Sequence, residues 1–433
     1  MKKIMILGAV GLLTAMALAG CRNNKHSADS ESGSGKTVIR VGTWEGDEAY
    51  KRHQKIAEEY MKKHKDVTIK VESVPDQYGT KILTQIAGGD APDVFQVGDG
   101  DVSMFKDRGA LENLDSYIKG DKGINTGDFF DKILEVGNID GSYYTLPKDY
   151  STLAVYYNKD MFDKAGIAYP TDEWTWDEFE EMAKKLTIKS GDNYEQWGVE
   201  LPGAEIRPIL PFLYAQGGDV ISEDGKTVNG FMNSEGTKAG LKFFDKLLNE
   251  DKVAPSSVDT DAFKGADLFL SKKVAMNISG VWPSSSYADS DLKFGIAKLP
   301  KGSAGQFSTI YYSGYGLYSG SKHKEEAWEY LRYFSTEGQK IIAKDGLMTA
   351  YKPAVKASKQ DEDPTKAKFI ESLENIKMFP ERLNFNFGKT AGTEFLNVLT
   401  EITTNGDGKL DIDKMLDEAA KKGQKAMDAA NKE

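Results

Sequence analysis

The sequence predicts an α/β protein made of at least two α/β units, and three observations carry that expectation. Apolar strands and amphipathic helices alternate from Thr37, the alternation resumes after Tyr143, and no Pro-rich linker separates the two stretches. With 433 residues and roughly 150 per domain, two or three domains are expected. Hydrophobic residues are 39% and charged residues 28%, the balance of a globular chain with ample core.

The elements follow in order. Val38, Ile39 and Val41 read as a buried strand that ends at Gly42-Thr43. Ala49, His53, Ile56, Ala57 and Tyr60 then recur at helical spacing. Val67, Ile69 and Val71 alternate with Thr68, Lys70 and Glu72, as in a half-buried strand. A helix over 80–87 stops at Gly88-Gly89, and 93–97 is another short strand. This β-α-β-α-β order predicts a mostly parallel sheet covered by helices. Segments 143–146 and 154–157 read as strands on either side of a break at Pro147-Lys148-Asp149-Tyr150. Thr175-Trp176-Asp177-Glu178 fits a capping box opening a helix with Phe179, Met182, Ala183 and Leu186 on one face. Val220-Ile221 and Thr227-Val228 flank Asp224-Gly225, a hairpin signal. Ser234 and Thr260 are placed to cap helices carrying Phe243, Phe244 and Leu247, then Phe263 and Leu268. Strands follow at 274–278 and 294–297, and helices at 325–334, 390–403 and 412–430.

The N-terminus reads as a processing signal. Met1-Lys2-Lys3 precedes an apolar run over 4–18 and then Ala19-Gly20-Cys21. The run is shorter than the roughly 20 residues of a spanning helix. Residues 22–36, rich in Ser, Asn and Gly, form a flexible tether. Removal of Lys2 and Lys3 takes the formal charge from −11 to −13.

Composition excludes several functions. One Cys and four scattered His (His26, His53, His64, His323) leave no disulfide within the chain and no thiolate metal site. A charge of −11 argues against nucleic acid, whose phosphates need a basic face. No Gly-x-Ser-x-Gly elbow, Walker A loop or dinucleotide fingerprint is present, so neither a catalytic residue nor a cofactor is expected. The stretch Asn405-Gly406-Asp407-Gly408-Lys409-Leu410-Asp411-Ile412-Asp413 approaches the spacing of a calcium loop. Its twelfth position falls on Lys414 where a bidentate Glu is wanted, which favours a polar turn and a helix capped by Asp411. The aromatic residues point to a ligand. Trp44, Tyr78, Tyr150, Trp282, Tyr311, Tyr312 and Phe387 lie at strand ends or in loops beside Gly, Pro, Asp or Glu, outside periodic apolar runs. Rings that cover C–H faces beside charged groups that bind hydroxyls suit a sugar.

Several stretches resemble one family, the extracellular solute-binding proteins of bacterial ABC transporters, in the branch similar to maltose-binding protein. They include Val41-Gly42-Thr43-Trp44, Leu83-Thr84-Gln85-Ile86-Ala87-Gly88-Gly89-Asp90-Ala91-Pro92-Asp93-Val94 and Ala154-Val155-Tyr156-Tyr157-Asn158-Lys159-Asp160. Trp174-Thr175-Trp176-Asp177-Glu178-Phe179, Ala275-Met276-Asn277-Ile278-Ser279-Gly280-Val281-Trp282 and Ala350-Tyr351-Lys352-Pro353-Ala354-Val355 continue the series. Leu18-Ala19-Gly20-Cys21 looks like a lipobox, which implies cleavage after residue 20 and lipidation of Cys21.

The resemblance implies a two-lobe, periplasmic-binding-protein-like fold of type II, with a ligand cleft between lobes that close by a hinge. It places crossings near 148–153, 295–299 and 346–353. One lobe is then 37–149 plus 296–350 and the other 150–295 plus 351–433, after a signal at 1–20 and a lipidated tether at 21–36. Carried over as lining the cleft are Trp44, Glu45, Tyr78, Asp99, Asp101, Tyr150, Ser151, Glu205, Arg207, Trp282, Tyr312, Ser313, Gly314, Arg382 and Phe387. Trp282 is expected to stack on the sugar, and Asp99 and Glu205 to accept from its hydroxyls. The expected protein is a monomer held by its lipid at the outer face of a Gram-positive-type membrane. It captures a carbohydrate without reaction and delivers it to permease subunits. A binding protein for a non-sugar solute, a secreted glycosidase and an adhesive surface protein stand as alternatives.

Overall fold

The computed structural model describes residues 35–432 except 192 and 406–408. The expected signal at 1–20, Cys21, the tether up to residue 34 and the centre of the candidate calcium loop lie outside the described residues. Of that loop, Asp411 caps the closing helix Ile412–Ala430 by accepting from the Lys414 N–H.

Among the described residues, ten strands build two five-stranded sheets. They are β1 (Thr37–Thr43), β2 (Val67–Ser73), β3 (Val94–Gly98), β4 (Thr145–Ser151), β5 (Ala154–Asn158), β6 (Ile188–Ser190), β7 (Asn193–Glu200), β8 (Val274–Ser279), β9 (Phe294–Lys298) and β10 (Tyr311–Leu317). The first sheet has the order β2-β1-β3-β10-β4 and the second β9-β5-β8-β7-β6. Within these two sheets only β1–β2, β1–β3 and β7–β8 pair in parallel. The sheets are therefore mixed rather than mostly parallel. In the first, β4 and β10 lie beside interlobe links and pair antiparallel, whereas β1 to β3 follow one another through helical crossovers.

Local signals explain most elements. The Thr175 capping box is present, with Glu178 N–H donating to Thr175 Oγ1 and the Glu178 carboxylate accepting from the Thr175 N–H. Thr260 sits inside helix Ser257–Ala262, and Ser256 supplies the cap with Asp259 as its partner. The Asp224-Gly225 segment makes a tight turn, with Gly225 at φ 70° and Ser222 N–H donating to Thr227 O, without a strand ladder.

The expected break at 147–150 is absent, because β4 runs through it. β4 is the edge strand of its sheet, where a proline without an N–H costs little. Gly314 faces Pro147 and Ser313 faces Asp149, which leaves Lys148 as the extra residue of a β-bulge.

Sheet membership also locates the crossings. The first is the two-residue link Thr152-Leu153 between β4 and β5. β9 pairs with β5 along its whole length, so it belongs to the second lobe, and that crossing comes after Lys298, within the expected 295–299. Helix Lys352–Ser358 still packs on the first lobe, with Gln360 Nε2 donating to Leu347 O at 2.7 Å. Lys368 then pairs with Asp172 of the second lobe. The third crossing therefore follows Ser358 instead of falling at 346–353.

The apolar core that packs the first sheet runs on into the second lobe through Tyr156, Trp197, Val274 and Tyr287, and a further core covers the other side of the second sheet. Ile39, Val41, Ile56, Tyr60, Trp328 and Leu331 pack the first. Phe179, Ile209, Phe212, Phe244, Phe395 and Leu416 join the second sheet to its helices. At Gly198 the strand β7 presses on helix Trp176–Leu186 backbone to backbone. A Cβ there would stand 2.0 Å from the Ala183 carbonyl oxygen. Gly198→Ala is expected to lower stability by about 1–3 kcal/mol, read as a lower urea midpoint by circular dichroism.

Candidate functional site

The ends of β1, β3, β4 and β10 form a polar floor. Trp44 sets its ring edge-on to Tyr78 at 5.3 Å. The Tyr78 hydroxyl donates to Gln96 O at 3.0 Å, so it orders the floor through backbone. Buried Gln96 donates to Ser313 Oγ at 2.6 Å and accepts from Thr43 Oγ1 at 2.5 Å. Lys148, only 2% exposed, donates to Glu45 Oε1 at 2.5 Å and to Asp149 Oδ2 at 2.6 Å. Burial would raise the Glu45 carboxyl, but the Lys148 ammonium outweighs it and holds the group below its ordinary value. Burial would likewise lower Lys148, and its two carboxylates outweigh that and raise it.

Across the cleft the lobes meet through charge. Arg207, on helix Ile206–Tyr214 of the second lobe, makes a bidentate pair with Asp99 of the first, at 2.7 and 2.9 Å. It also donates to Ile310 O at 3.0 Å, and its guanidinium lies 4.7 Å from the Tyr311 ring centre and 3.7 Å from that of Phe379. Both Asp99 oxygens therefore engage Arg207, in contrast to the expected role of meeting ligand hydroxyls. Asp101 and Glu205 are exposed beside the pair. Glu381 packs against Gly100 and has one buried oxygen without a partner. Burial pushes its carboxyl up to about 7, against the pull of Arg207.

Where the lobes join, a cavity of about 230 Å³ brings together Tyr150, Ser151, Trp282, Tyr312 and Ser313 from the expected set. Asp149, Val281, Tyr311 and Leu347 complete its lining. Trp282 is 52% exposed and faces Tyr311 at 5.1 Å. The Tyr150 hydroxyl is buried without a partner, whereas Tyr312 shares a 2.9 Å hydrogen bond with Thr145. Gly314 has no room for a side chain, since a Cβ would stand 2.1 Å from the Tyr312 hydroxyl.

Two expected residues lie elsewhere. Phe387 is fully buried in the second lobe's core, where its carbonyl accepts from the Gly392 N–H beside helix Ala391–Thr404. Arg382 donates to the backbone carbonyls of Val136 and Asn138 and lines a separate groove with Ser103 and Asn384. It ties a late segment to the first lobe instead of facing the cavity. Sequence reasoning missed Gln96, Lys148, Asp149, Phe379 and Glu381 as parts of the site. The Lys148-Asp149 dipeptide stood in plain view inside a supposed strand break.

A family model described as bacterial extracellular solute-binding protein matches residues 45–341. A binding protein of Brucella abortus is 28% identical over 328 residues, 72% of this chain and 76% of that protein. The maltotriose-binding protein of Pyrococcus abyssi is 26% identical over 364 residues, 82% of this chain and 75% of that protein. Among solved structures, an ABC substrate-binding protein from Listeria monocytogenes in complex with cycloalternan superposes with a TM-score of 0.75 at 27% identity. It covers 92% of this chain and 99% of its own.

The raised carboxyl of Glu381 has a signed consequence. Its ordinary value is 4.5 and its value in the fold is about 7, so its stabilising contribution is full below 4.5 and is lost as pH climbs through 7. Glu381→Gln is expected to melt close to wild type at pH 4.5 and to be more stable at pH 8, by on the order of 1–3 kcal/mol. Thermal denaturation at the two pH values checks this.

Proposed function

Because the chain belongs to the bacterial extracellular solute-binding proteins, we propose that it captures a carbohydrate, an oligosaccharide, between its lobes and hands it to the permease of an ABC transporter. The observation that carries this reading is Trp282, half exposed and facing Tyr311 over a cavity that Asp149 and Tyr150 also line. An apolar ring left in water at a folding cost suits the C–H face of a pyranose, and hydroxyls then meet the Asp149 carboxylate. A relative that binds maltotriose and a neighbour that holds cycloalternan support the same class. Asp99 and Arg207 contribute by holding the lobes together, and no bond of the sugar is broken.

Residues 1–20 act as the secretion signal, Cys21 carries the lipid, and the tether leaves a monomeric body free at the outer face of the membrane. The motif Leu18-Ala19-Gly20-Cys21 supports this.

Micromolar affinity corresponds to about −8 kcal/mol, within reach of one stacked ring and a few charge-assisted hydrogen bonds. Calorimetry against mono- and oligosaccharides, maltotriose among them, is expected to give saturable heat with at least one. No heat with any of them overturns the reading. Trp282→Ala is expected to weaken that binding about tenfold or more while leaving the melting temperature unchanged. Cys21→Ala is expected to move the protein from the membrane fraction into the medium.

A further inference from the structure

The geometry points to Lys148 as a positioning residue: from the bulge of β4 its ammonium fixes Glu45 and Asp149 as a pair of outward-facing acceptors on the cleft floor. The ligand surface laid on this floor must therefore offer donors and carry no negative charge. This rests on the carbohydrate reading and narrows it to neutral or amine-bearing saccharides, against uronic acids and sugar phosphates.

Three observations carry it. Consecutive side chains of a regular strand point to opposite faces, and so cannot share a hydrogen bond. The register shift at Ser313/Gly314 breaks that alternation and lets Lys148 Nζ reach Asp149 Oδ2 at 2.6 Å. Second, the cation is sealed and the anions are not. The Lys148 side chain is 2% exposed, those of Glu45 and Asp149 are 17% and 19%, and Asp149 lines the cavity. A ligand thus meets carboxylate oxygens and never the ammonium. Third, the trio is wired to the rest of the floor. Gln96 Nε2 lies 3.4 Å from Glu45 Oε1 and donates to Ser313 Oγ, so β3, β4, β10 and the loop after β1 share one network.

Stability alone does not account for this arrangement. A sealed ammonium loses its hydration, and an apolar side chain of similar length serves a core at least as well. The charged groups around Lys148 are Glu45 and Asp149, with His53 of helix Asp47–Lys63 nearby. Burial first, and Lys148 second, lower His53 to about 3, so it brings no positive charge at neutral pH. The other cleft cation, Arg207, is occupied by Asp99. Neither cation is left to receive an anionic ligand.

The test uses the full chain and the saccharide that gives heat in the calorimetric panel. Lys148→Met is expected to weaken binding at least tenfold at pH 7. It should also make the affinity vary with pH more steeply than in wild type between pH 5 and 8, because Glu45 then loses the cation that holds its carboxyl down. Asp149→Asn, which keeps the Lys148–Glu45 pair, is expected to fold normally and to bind at least tenfold more weakly. Trigalacturonate is expected to bind wild type at least tenfold more weakly than the neutral sugar. An unchanged affinity in a folded Lys148→Met protein whose pH profile matches that of wild type overturns the proposal. So does unchanged affinity in Asp149→Asn, or preferred binding of trigalacturonate. If wild type binds no saccharide, the carbohydrate reading fails separately, and carbon-13 titration of the Glu45 carboxyl decides for Lys148. A midpoint that rises by a pH unit or more in Lys148→Met supports it, and an unmoved midpoint overturns it.

Discussion

The bidentate pair between Asp99 and Arg207 is the constraint around which the cleft is arranged. Asp99 stands at the end of β3 in one lobe and Arg207 opens a helix of the other, so the pair ties the two lobes across the cleft. Removing one member of such a pair and stranding the other costs about 3–5 kcal/mol, far more than an exposed bridge. The surroundings follow from it. Arg207 needs flat neighbours and finds Tyr311 and Phe379. Tyr311 in turn faces Trp282. Glu381, drawn toward the same cation, is left half-satisfied with a raised carboxyl.

A ligand enters a cleft already held by protein charge. Closure in a two-state system is driven only by differential affinity, and the Asp99–Arg207 pair bridges the two walls through protein groups alone. The remaining bias comes from groups on both walls: Tyr150 and Ser313 from the first sheet, and Trp282 from the loop after β8 of the second. This division explains why the floor is built from satisfied, immobile groups while the Trp282 wall is left open to solvent.

Helices and the first three strands were legible because their signals are local. The Thr175 box, the Asp411 cap and the apolar spacing of Ile56, Ala57 and Tyr60 need no distant partner. Exact lobe boundaries were not legible, since the lobe of β9 is set by pairing with β5 more than a hundred residues earlier. Pro147 misled because a proline usually ends a ladder, and only an edge position makes it harmless. In the site, Trp282 and Tyr312 could be read as aromatics outside apolar runs. Phe387 met the same criterion and is core, because helix Ala391–Thr404 folds over it. Lys148 and Asp149 could not be found this way, since a bulge is a property of two strands and leaves no mark in either alone.

The order of strands in the first sheet sets a clock. β10 lies between β3 and β4, yet it follows β3 by roughly 210 residues in the chain. Pairing β3 with β10 closes a loop of that length, and the entropy of closure is lost before any contact offsets it. Until it closes, β3 and β4 lack the partner that joins them. Neither lobe can be finished before the other has been started. The protein thus assembles both halves late and nearly together, and its vulnerable period is fixed by topology rather than by the strength of any single contact.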